Sequence, residues 1–191
     1  ADISMLDEVT PEFKYAFCLH ANETLLRLEH TPKLVIAAPG GHCVGGGLEV
    51  ALGCDLRIAR RGSGRCGLPE VTLGVLPGTG GTQRLARILG KSRAIRAMAT
   101  GELFDYEKAA EMGLVDELID AEDDAAFMEA VLEFARGFCT PKKAALAVGN
   151  IKRAVQSGLE VSLEAGLALE RELQAKLFSS ADAQEGIRAF V

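Results

Sequence analysis

The fold of this chain is decided around residues 44–49, which read Val44-Gly45-Gly46-Gly47-Leu48-Glu49. A glycine run followed by apolar residues predicts a turn into a short helix, with Glu49 one turn inside it. Backbone N–H groups at the start of a helix have no partner within it, so they can stabilise a developing negative charge. Downstream, Leu68-Pro69-Glu70 adds a second carboxylate in a loop bounded by proline. Together these residues outline an anion-stabilising site beside two carboxylates that can divide acid and base roles.

Short apolar segments flank the glycine run on both sides. Residues 34–38 form an apolar run between Pro32 and Pro39, which is typical of a buried strand in a parallel sheet. Residues 45–53 are predicted to form a short helix, and residues 55–59 the next strand. Strand, glycine-rich turn, helix and strand predict a βαβ unit, which places the chain in the α/β class.

The remainder of the chain is predicted to be mostly helical. Residues 60–82 are rich in glycine and proline and predict a long loop, which is more often functional than accidental in a compact domain. Gly113 is expected to close a helix that begins at Asp105. Apolar periodicity predicts further helices over residues 11–31, 82–89, 92–99, 121–138, 141–156, 160–178 and 181–189. The C-terminal helices need a core of their own or a partner subunit to cover their apolar faces.

Composition argues against several classes of protein. With 191 residues and 48% hydrophobic content, the chain can form one core domain with a helical appendage. A net charge of −6 argues against a dedicated nucleic-acid-binding protein. No apolar run approaches the ~20 residues that span a bilayer, and the first residues do not resemble a signal peptide. The five cysteines, an odd number without close pairs, fit reduced thiols, and no set of metal ligands is complete.

Other interpretations of the motifs compete with a reaction centre. Residues 62–67 match the GxGxxG pattern of dinucleotide-binding proteins, but Pro69 follows where a helix should begin, so a surface loop is the better interpretation. For Glu49 the alternative is a solvated helix position, although the apolar residues around it favour a cavity. Glu70 could instead cap a loop or form a salt bridge there. From spacing alone, both interpretations of the pair stay open.

Several segments of the chain, in a fixed order, carry a family resemblance. They are Ile36-Ala37-Ala38, Gly45-Gly46-Gly47-Leu48-Glu49, Cys54-Asp55-Leu56-Arg57-Ile58-Ala59, Gly67-Leu68-Pro69-Glu70, Leu73-Gly74-Val75-Leu76-Pro77-Gly78-Thr79-Gly80-Gly81-Thr82-Gln83-Arg84-Leu85, Thr100-Gly101 and Ala109-Ala110-Glu111-Met112-Gly113-Leu114-Val115. Their sequence and order resemble the crotonase (enoyl-CoA hydratase/isomerase) superfamily. The resemblance covers residues 33–118 and continues through the helical remainder.

The resemblance implies the crotonase fold, an α/β fold with a ββα spiral core and a C-terminal helical region that forms trimers. It divides the chain into a core over residues 1–120 and a helical region over residues 121–191. Ala1-Asp2-Ile3 is similar to a family segment that follows the first strands, so we expect those N-terminal strands to be missing from the chain. Residues 39–43 depart from the family pattern, which bears on acyl-chain specificity more than on the reaction.

The resemblance also implies roles for individual residues. The backbone N–H groups of Ala1 and Gly46 would form an oxyanion hole for the thioester carbonyl of an acyl-CoA, each donor contributing about 3–4 kcal/mol in the transition state. Glu49 and Glu70 match the two acidic positions of members that add or remove water. Glu49 would activate the water, and Glu70 would deliver the proton to Cα. The residues expected to contact the substrate are Ile3, Gly45, Pro69 and Gly78.

The implied function is that of an enoyl-CoA hydratase, or 3-hydroxyacyl-CoA dehydratase, which needs neither a metal ion nor a redox cofactor. Its partners would be an acyl-CoA substrate and further copies of the chain in a homotrimer or hexamer, without nucleic acid or membrane. The expected location is the cytoplasm, or the mitochondrial matrix if a transit peptide has been removed. Two alternatives stay open: a Δ3-Δ2-enoyl-CoA isomerase, and a non-catalytic member that binds acyl-CoA or acts as a scaffold.

Overall fold

A computed structural model describes residues 7–189 of the chain. The chain divides into two compact units. One unit comprises the chain up to Glu29 together with Val35–Val131, and the other comprises His30–Leu34 together with the chain from Leu132 onward. The expected division into a core over residues 1–120 and a helical region over residues 121–191 stays a prediction.

The first unit contains the strands and the shorter helices. Its helices are α1 (Pro11–Glu29), α2 (Gly46–Leu52), α3 (Gly81–Leu89), α4 (Lys91–Thr100), α5 (Tyr106–Glu111) and the start of α6 (Asp124–Arg136), with a 3-10 helix over Glu70–Leu73. Its strands are β1 (Ile36–Ala37), β2 (Cys43–Val44), β3 (Leu56–Arg60), β4 (Arg65–Gly67), β5 (Phe104–Asp105) and β6 (Glu117–Ile119). The mixed α/β class is therefore confirmed.

Within residues 7–189 the strands form two small sheets. In the first sheet β3 lies in the centre and pairs in parallel with β1 and β6, which aligns Ile36 with Leu56 and Ile58 with Glu117. The chain passes from β1 through α2 to β3, so the predicted βαβ unit is confirmed. In the second sheet β4 lies in the centre, parallel to β2 and antiparallel to β5.

The second sheet corrects one expectation from the sequence. The GxGxxG-like segment over residues 62–67, interpreted as a surface loop, ends in β4, where Cys66 is fully buried. The loop predicted over residues 60–82 also contains the 3-10 helix. A strand of three residues among glycines has too few alternating side chains to give a detectable period, so the prediction was wrong there.

A close approach at Gly67 sets the position of the loop that follows β4. A Cβ at this residue would lie 2.6 Å from the carbonyl oxygen of Glu102 and 2.7 Å from Cδ2 of Leu103. On the other side of the strand, the N–H of Gly45 donates to the carbonyl of Gly67 at 2.9 Å. Because Glu70 follows three residues later, these contacts bring it toward the start of α2. The core around them includes Leu48, Leu52, Ala59, Leu68, Leu85, Tyr106 and Leu114.

The second unit contains the helices expected near the C-terminus. They are α7 (Ala145–Gly158), α8 (Leu163–Phe178) and α9 (Ala181–Arg188), within a few residues of their predicted bounds. Ser162 and Ser180 cap α8 and α9 by accepting backbone N–H groups of the first turn. Lys152 on α7 donates to the carbonyl of Lys33 at 3.0 Å. Across the part of the chain that the structure describes, none of the helices is both long and apolar enough to cross a bilayer.

We expect Gly67→Ala to lower the free energy of unfolding by about 1–3 kcal/mol, because the added methyl group presses on the carbonyl of Glu102. Urea denaturation measures this change. The matched control is Gly41→Ala, since no atom of the described residues lies within 4 Å of a Cβ at that position. The control should change stability by less than about 0.5 kcal/mol. Equal stabilities of the two variants would contradict the close approach.

Candidate active site

The side chain of Glu49 is buried near the beginning of α2. Only 3% of the residue is exposed. Its neighbours Leu48, Ala51 and Leu52 belong to the core of the first unit. The alternative of a solvated helix position is therefore wrong. A carboxylate removed from water in this way requires hydrogen bonds from the protein.

Three donors at the start of α3 hold the Glu49 carboxylate. The backbone N–H groups of Thr79 and Gly81 each donate to Oε1 at 2.8 Å. The hydroxyl of Thr79 donates to Oε2. Both oxygens are therefore fixed in direction, and the charge is compensated by donors that carry no charge of their own.

The absence of a side chain at Gly81 allows these donors to reach Glu49. A Cβ at Gly81 would lie 3.0 Å from Oε1 of Glu49, 2.9 Å from Cδ1 of Leu68 and 2.9 Å from Cβ of Pro77. Any other residue would push α3 away from the carboxylate and lengthen both backbone hydrogen bonds. The start of α3 is thus shaped around Glu49.

Glu70 lies against the other end of the glycine run. It is the first residue of the 3-10 helix that follows Pro69, whose carbonyl accepts hydrogen bonds from the N–H and hydroxyl of Thr72 at 2.9 and 2.8 Å. A Cβ at Gly45, where φ is +58°, would lie 3.0 Å from Oε1 of Glu70. Glycine is therefore favoured at position 45 for two reasons: the positive φ, and the close approach of the Glu70 carboxylate.

The surroundings of Glu70 favour its protonated form. Burial is the largest cause that raises the pKa of Glu70, and the charge of Glu49 raises it further. The backbone hydrogen bond of Glu70 and the charge of Lys14 act in the opposite direction but do not cancel the increase. Oε2 of Glu70 is buried and has no hydrogen-bond partner among the described residues. A carboxyl whose pKa is raised keeps its proton to higher pH than an exposed one, which suits a group that donates a proton.

The glycines between the two carboxylates differ in what they offer. The N–H of Gly45 is already bonded to Gly67. Gly46 is the first residue of α2, so its N–H has no acceptor within the helix. Among residues 7–189 nothing lies within 4 Å of a Cβ at Gly46 or Gly47, so the described part of the chain does not cover these two positions. Gly46 is therefore the glycine of the run that is best placed to donate to a ligand.

The structure brings Glu49, Glu70, Gly45 and Gly46 together, as the sequence predicted. Gly78 lies against α1, because a Cβ there would be 2.9 Å from Sγ of Cys18. Pro69 positions Glu70 through its bonds to Thr72. The substrate contacts expected of Gly45, Pro69 and Gly78 stay predictions. Ala1 and Ile3, predicted for the oxyanion hole and for substrate binding, lie outside the described residues.

The sequence analysis missed the residues that act on the two glutamates. Thr79 and Gly81 lie in a segment that carried the family resemblance. The sequence of that segment does not indicate that these residues bind Glu49. Lys14, whose charge opposes that of Glu70, lies in α1 and gave no signal at all. Among residues 7–189 no group of His, Cys, Asp and Glu side chains could hold a metal ion. The expectation that the reaction needs no cofactor stays a prediction.

Comparison with known proteins supports the resemblance found in the sequence. The family model for enoyl-CoA hydratase/isomerase matches residues 1–191. A short-chain-enoyl-CoA hydratase from Clostridium acetobutylicum is 35% identical over 191 residues, which cover 100% of this chain and 71% of the relative. A 2,3-dehydroadipyl-CoA hydratase from Escherichia coli is 40% identical over 165 residues, which cover 86% of this chain and 62% of the relative.

A solved structure shows that the fold is shared as well. The crystal structure of an enoyl-CoA hydratase from Geobacillus kaustophilus HTA426 superposes with a TM-score of 0.94 at 48% identity, over 100% of this chain and 70% of that protein. The chain thus spans about two thirds of the length of the relatives that it matches. With a family model matched from end to end and a fold shared with a solved hydratase, the chain belongs to the enoyl-CoA hydratase/isomerase family of enzymes, has the crotonase fold, and is similar in sequence to hydro-lyases of that family.

Proposed function

We propose that the protein catalyses the reversible syn addition of water to a 2-enoyl-CoA thioester. The observation that carries this proposal is the contrast between the two carboxylates at the glycine run. Glu49 is held by three donors, whereas Glu70 has a raised pKa and a buried oxygen to which no residue in the described part of the chain donates. Two carboxyl groups whose environments differ in this way can act as base and acid in one reaction.

In the proposed hydration, Glu49 orients a water molecule and accepts one of its protons as the oxygen bonds to Cβ. The electrons of the Cα–Cβ double bond move toward the thioester, whose oxygen gains negative charge. Glu70 donates its proton to Cα, which completes the addition. Proton exchange with solvent returns Glu49 and Glu70 to their starting states. Dehydration follows the same path in reverse, with the two roles exchanged.

The developing charge on the thioester oxygen requires fixed donors. The N–H of Gly46 is the proposed donor among the described residues, since the space beside it is open. The N–H of Ala1 is the second donor that the family resemblance implies. Two preorganised donors stabilise the enolate more than the ground-state carbonyl, because the charge on the oxygen grows during the reaction. This chemistry needs neither a metal ion nor a redox cofactor.

Assembly and location belong to the same proposal. In the second unit Leu159, Leu163 and Phe178 are 79%, 78% and 64% exposed, which is unusual for large apolar side chains. We assign these surfaces to packing between copies of the chain in a homotrimer or a hexamer, since closed symmetry buries the same surface on every copy. A reducing compartment, the cytoplasm or the mitochondrial matrix, suits the five cysteines, which are thiols and not disulfides: Cys18, Cys43, Cys54, Cys66 and Cys139.

The full-length protein should hydrate a short 2-enoyl-CoA, which is measured as loss of the absorbance of the conjugated thioester. The same preparation is given a 3-enoyl-CoA, whose conversion into the conjugated isomer would increase that absorbance. Hydration much faster than isomerisation supports the proposal. Isomerisation alone would favour the Δ3-Δ2-enoyl-CoA isomerase, and tight acyl-CoA binding without either reaction would favour a non-catalytic member.

Glu49→Gln and Glu70→Gln should each lower kcat for hydration roughly 100- to 10,000-fold, because each removes a group that transfers a proton. KM should change little, since neither carboxylate is needed to hold the CoA moiety. The matched control is Glu111→Gln, which removes an exposed carboxylate paired with Lys108 and should leave kcat unchanged. Retention of normal kcat in either active-site variant would rule out the assigned role.

The pKa of Glu70 should fall in Glu49→Gln and rise in Lys14→Met. Removing the negative charge of Glu49 makes the ionised form of Glu70 easier to create, so its pKa moves toward the ordinary value without reaching it, because burial remains the largest cause. Removing the positive charge of Lys14 acts in the opposite sense. Carbon-13 NMR titration of the Glu70 carboxyl measures both shifts, and shifts of the same sign would contradict this electrostatic account.

A further inference from the structure

Arg84 on α3 and Glu29 at the end of α1 form a nearly buried ion pair. Nε of Arg84 donates to Oε1 of Glu29 at 2.7 Å, and Nη2 donates to Oε2 at 2.8 Å. Both side chains are only 12% exposed. A bidentate ion pair of this kind fixes the plane of the guanidinium as well as its position. The ion pair lies in the first unit but outside the residues that the proposed reaction uses.

The third nitrogen of the guanidinium connects this ion pair to Glu49. Nη1 of Arg84 donates to the carbonyl oxygen of Thr79 at 3.3 Å. Thr79 is the residue whose N–H and hydroxyl hold the Glu49 carboxylate. Arg84 thus binds one end of Thr79 while Glu49 binds its other polar groups. The hydrogen bond to Glu29 is the main cause that raises the pKa of Arg84, and the charge of Glu49 raises it further, which shows that the two groups are within electrostatic reach.

Gly80 provides the space that the guanidinium occupies. Its φ is +107°, and a Cβ there would lie 1.9 Å from Nη1 of Arg84. The chain therefore needs glycine at this position for two reasons: the backbone conformation, and passage of the arginine to Thr79. A side chain at residue 80 would displace Arg84 from the Thr79 carbonyl while leaving both charges of the ion pair in the protein.

We propose that Arg84 is a positioning residue for Glu49, and that Glu29 holds Arg84 in place for this purpose. The path runs from Glu29 through the guanidinium to the carbonyl of Thr79, and from the N–H and hydroxyl of Thr79 to the carboxylate. Its effect is to keep both oxygens of Glu49 in the direction required for the water. This inference rests on the proposed hydratase function, because it assigns a purpose to the orientation of Glu49.

The test compares kcat and KM for hydration in Arg84→Met and Glu29→Gln. Loss of the path allows Thr79 to rotate, so we expect kcat to fall roughly 10- to 100-fold, the loss expected of a displacement of about 1 Å in a reacting group. KM should stay within about twofold, because no proposed CoA contact changes. Arg84→Lys keeps the charge but cannot reach both Glu29 and Thr79, so its kcat should lie between those of wild type and Arg84→Met.

Arg57→Met is the matched control for a general loss of stability. Arg57, whose side chain is only 8% exposed, also forms an ion pair, with Asp116 at 2.9 Å, and it donates to the carbonyls of Leu114 and Cys54. We expect it to lower the midpoint of thermal unfolding while kcat of the folded fraction stays within about twofold of wild type. An equal fall in kcat in both variants would show that Arg84 acts on stability alone and would overturn the inference.

Gly80→Ala offers a second route that removes no charge. Because its methyl group competes with Nη1 of Arg84 for the same space, this variant should reproduce the loss of kcat seen in Arg84→Met. It also keeps the inference testable if Arg84→Met does not fold. Normal kcat in a folded Gly80→Ala variant would overturn the inference.

A double variant separates the failure of this inference from the failure of the proposed function. In a Glu49→Gln background there is no carboxylate for Arg84 and Thr79 to orient. Adding Arg84→Met should therefore lower the residual rate by less than about twofold. A further 10- to 100-fold loss in that background would show that Arg84 acts elsewhere. If the wild-type protein does not hydrate a 2-enoyl-CoA, the proposed function fails, and if Glu49→Gln leaves hydration unchanged, the assigned role of Glu49 fails. If Glu49→Gln abolishes hydration and Arg84→Met does not slow it, only the positioning role fails.

Discussion

The burial of the Glu49 carboxylate is the constraint on which the rest of the site depends. A charge withdrawn from water is costly unless the protein replaces the lost hydration with hydrogen bonds. The N–H and hydroxyl of Thr79 and the N–H of Gly81 supply that replacement. They can do so only if α3 begins within reach of α2, and the missing side chain of Gly81 makes that approach possible. Packing of the first unit and the chemistry of its site are therefore set by the same contacts.

Two identical side chains acquire opposite properties from their surroundings. Glu49 has donors on both oxygens, whereas Glu70 rests against Gly45 with one oxygen buried and unpaired. Burial raises the pKa of Glu70, and the charge of its fellow glutamate adds to this effect. The glycine run separates the two environments, because its first residue makes room for Glu70 and its second begins α2 with an N–H that has no acceptor within the helix. The proposed division into acid and base would thus follow from packing and need no difference in residue type.

The sequence was sufficient where the signal is local. The apolar runs beside the glycines predicted β1, α2 and β3, and Gly113, with φ at +77°, closes the helix expected from Asp105. The strands β2, β4 and β5 could not be predicted, because two or three residues show no period and, unlike β1, these strands do not lie within a longer apolar run. The carboxylates themselves were found, but the partners of Glu49 lie 30 and 32 residues away along the chain. Such contacts depend on how helices meet, which local patterns do not encode.

The ion pair between Glu29 and Arg84 joins residues that are 55 positions apart. A chain in which α1 has not packed against α3 contains every chemical group of the site. It lacks the ion pair that is proposed to orient Thr79 and Glu49. Closing so long a loop carries an entropic cost that local structure does not have to meet. On the proposed function, competence to react is therefore a property of the whole first unit rather than of the segment that bears the glutamates. In such a molecule, measurable turnover would show that α1 has packed against α3.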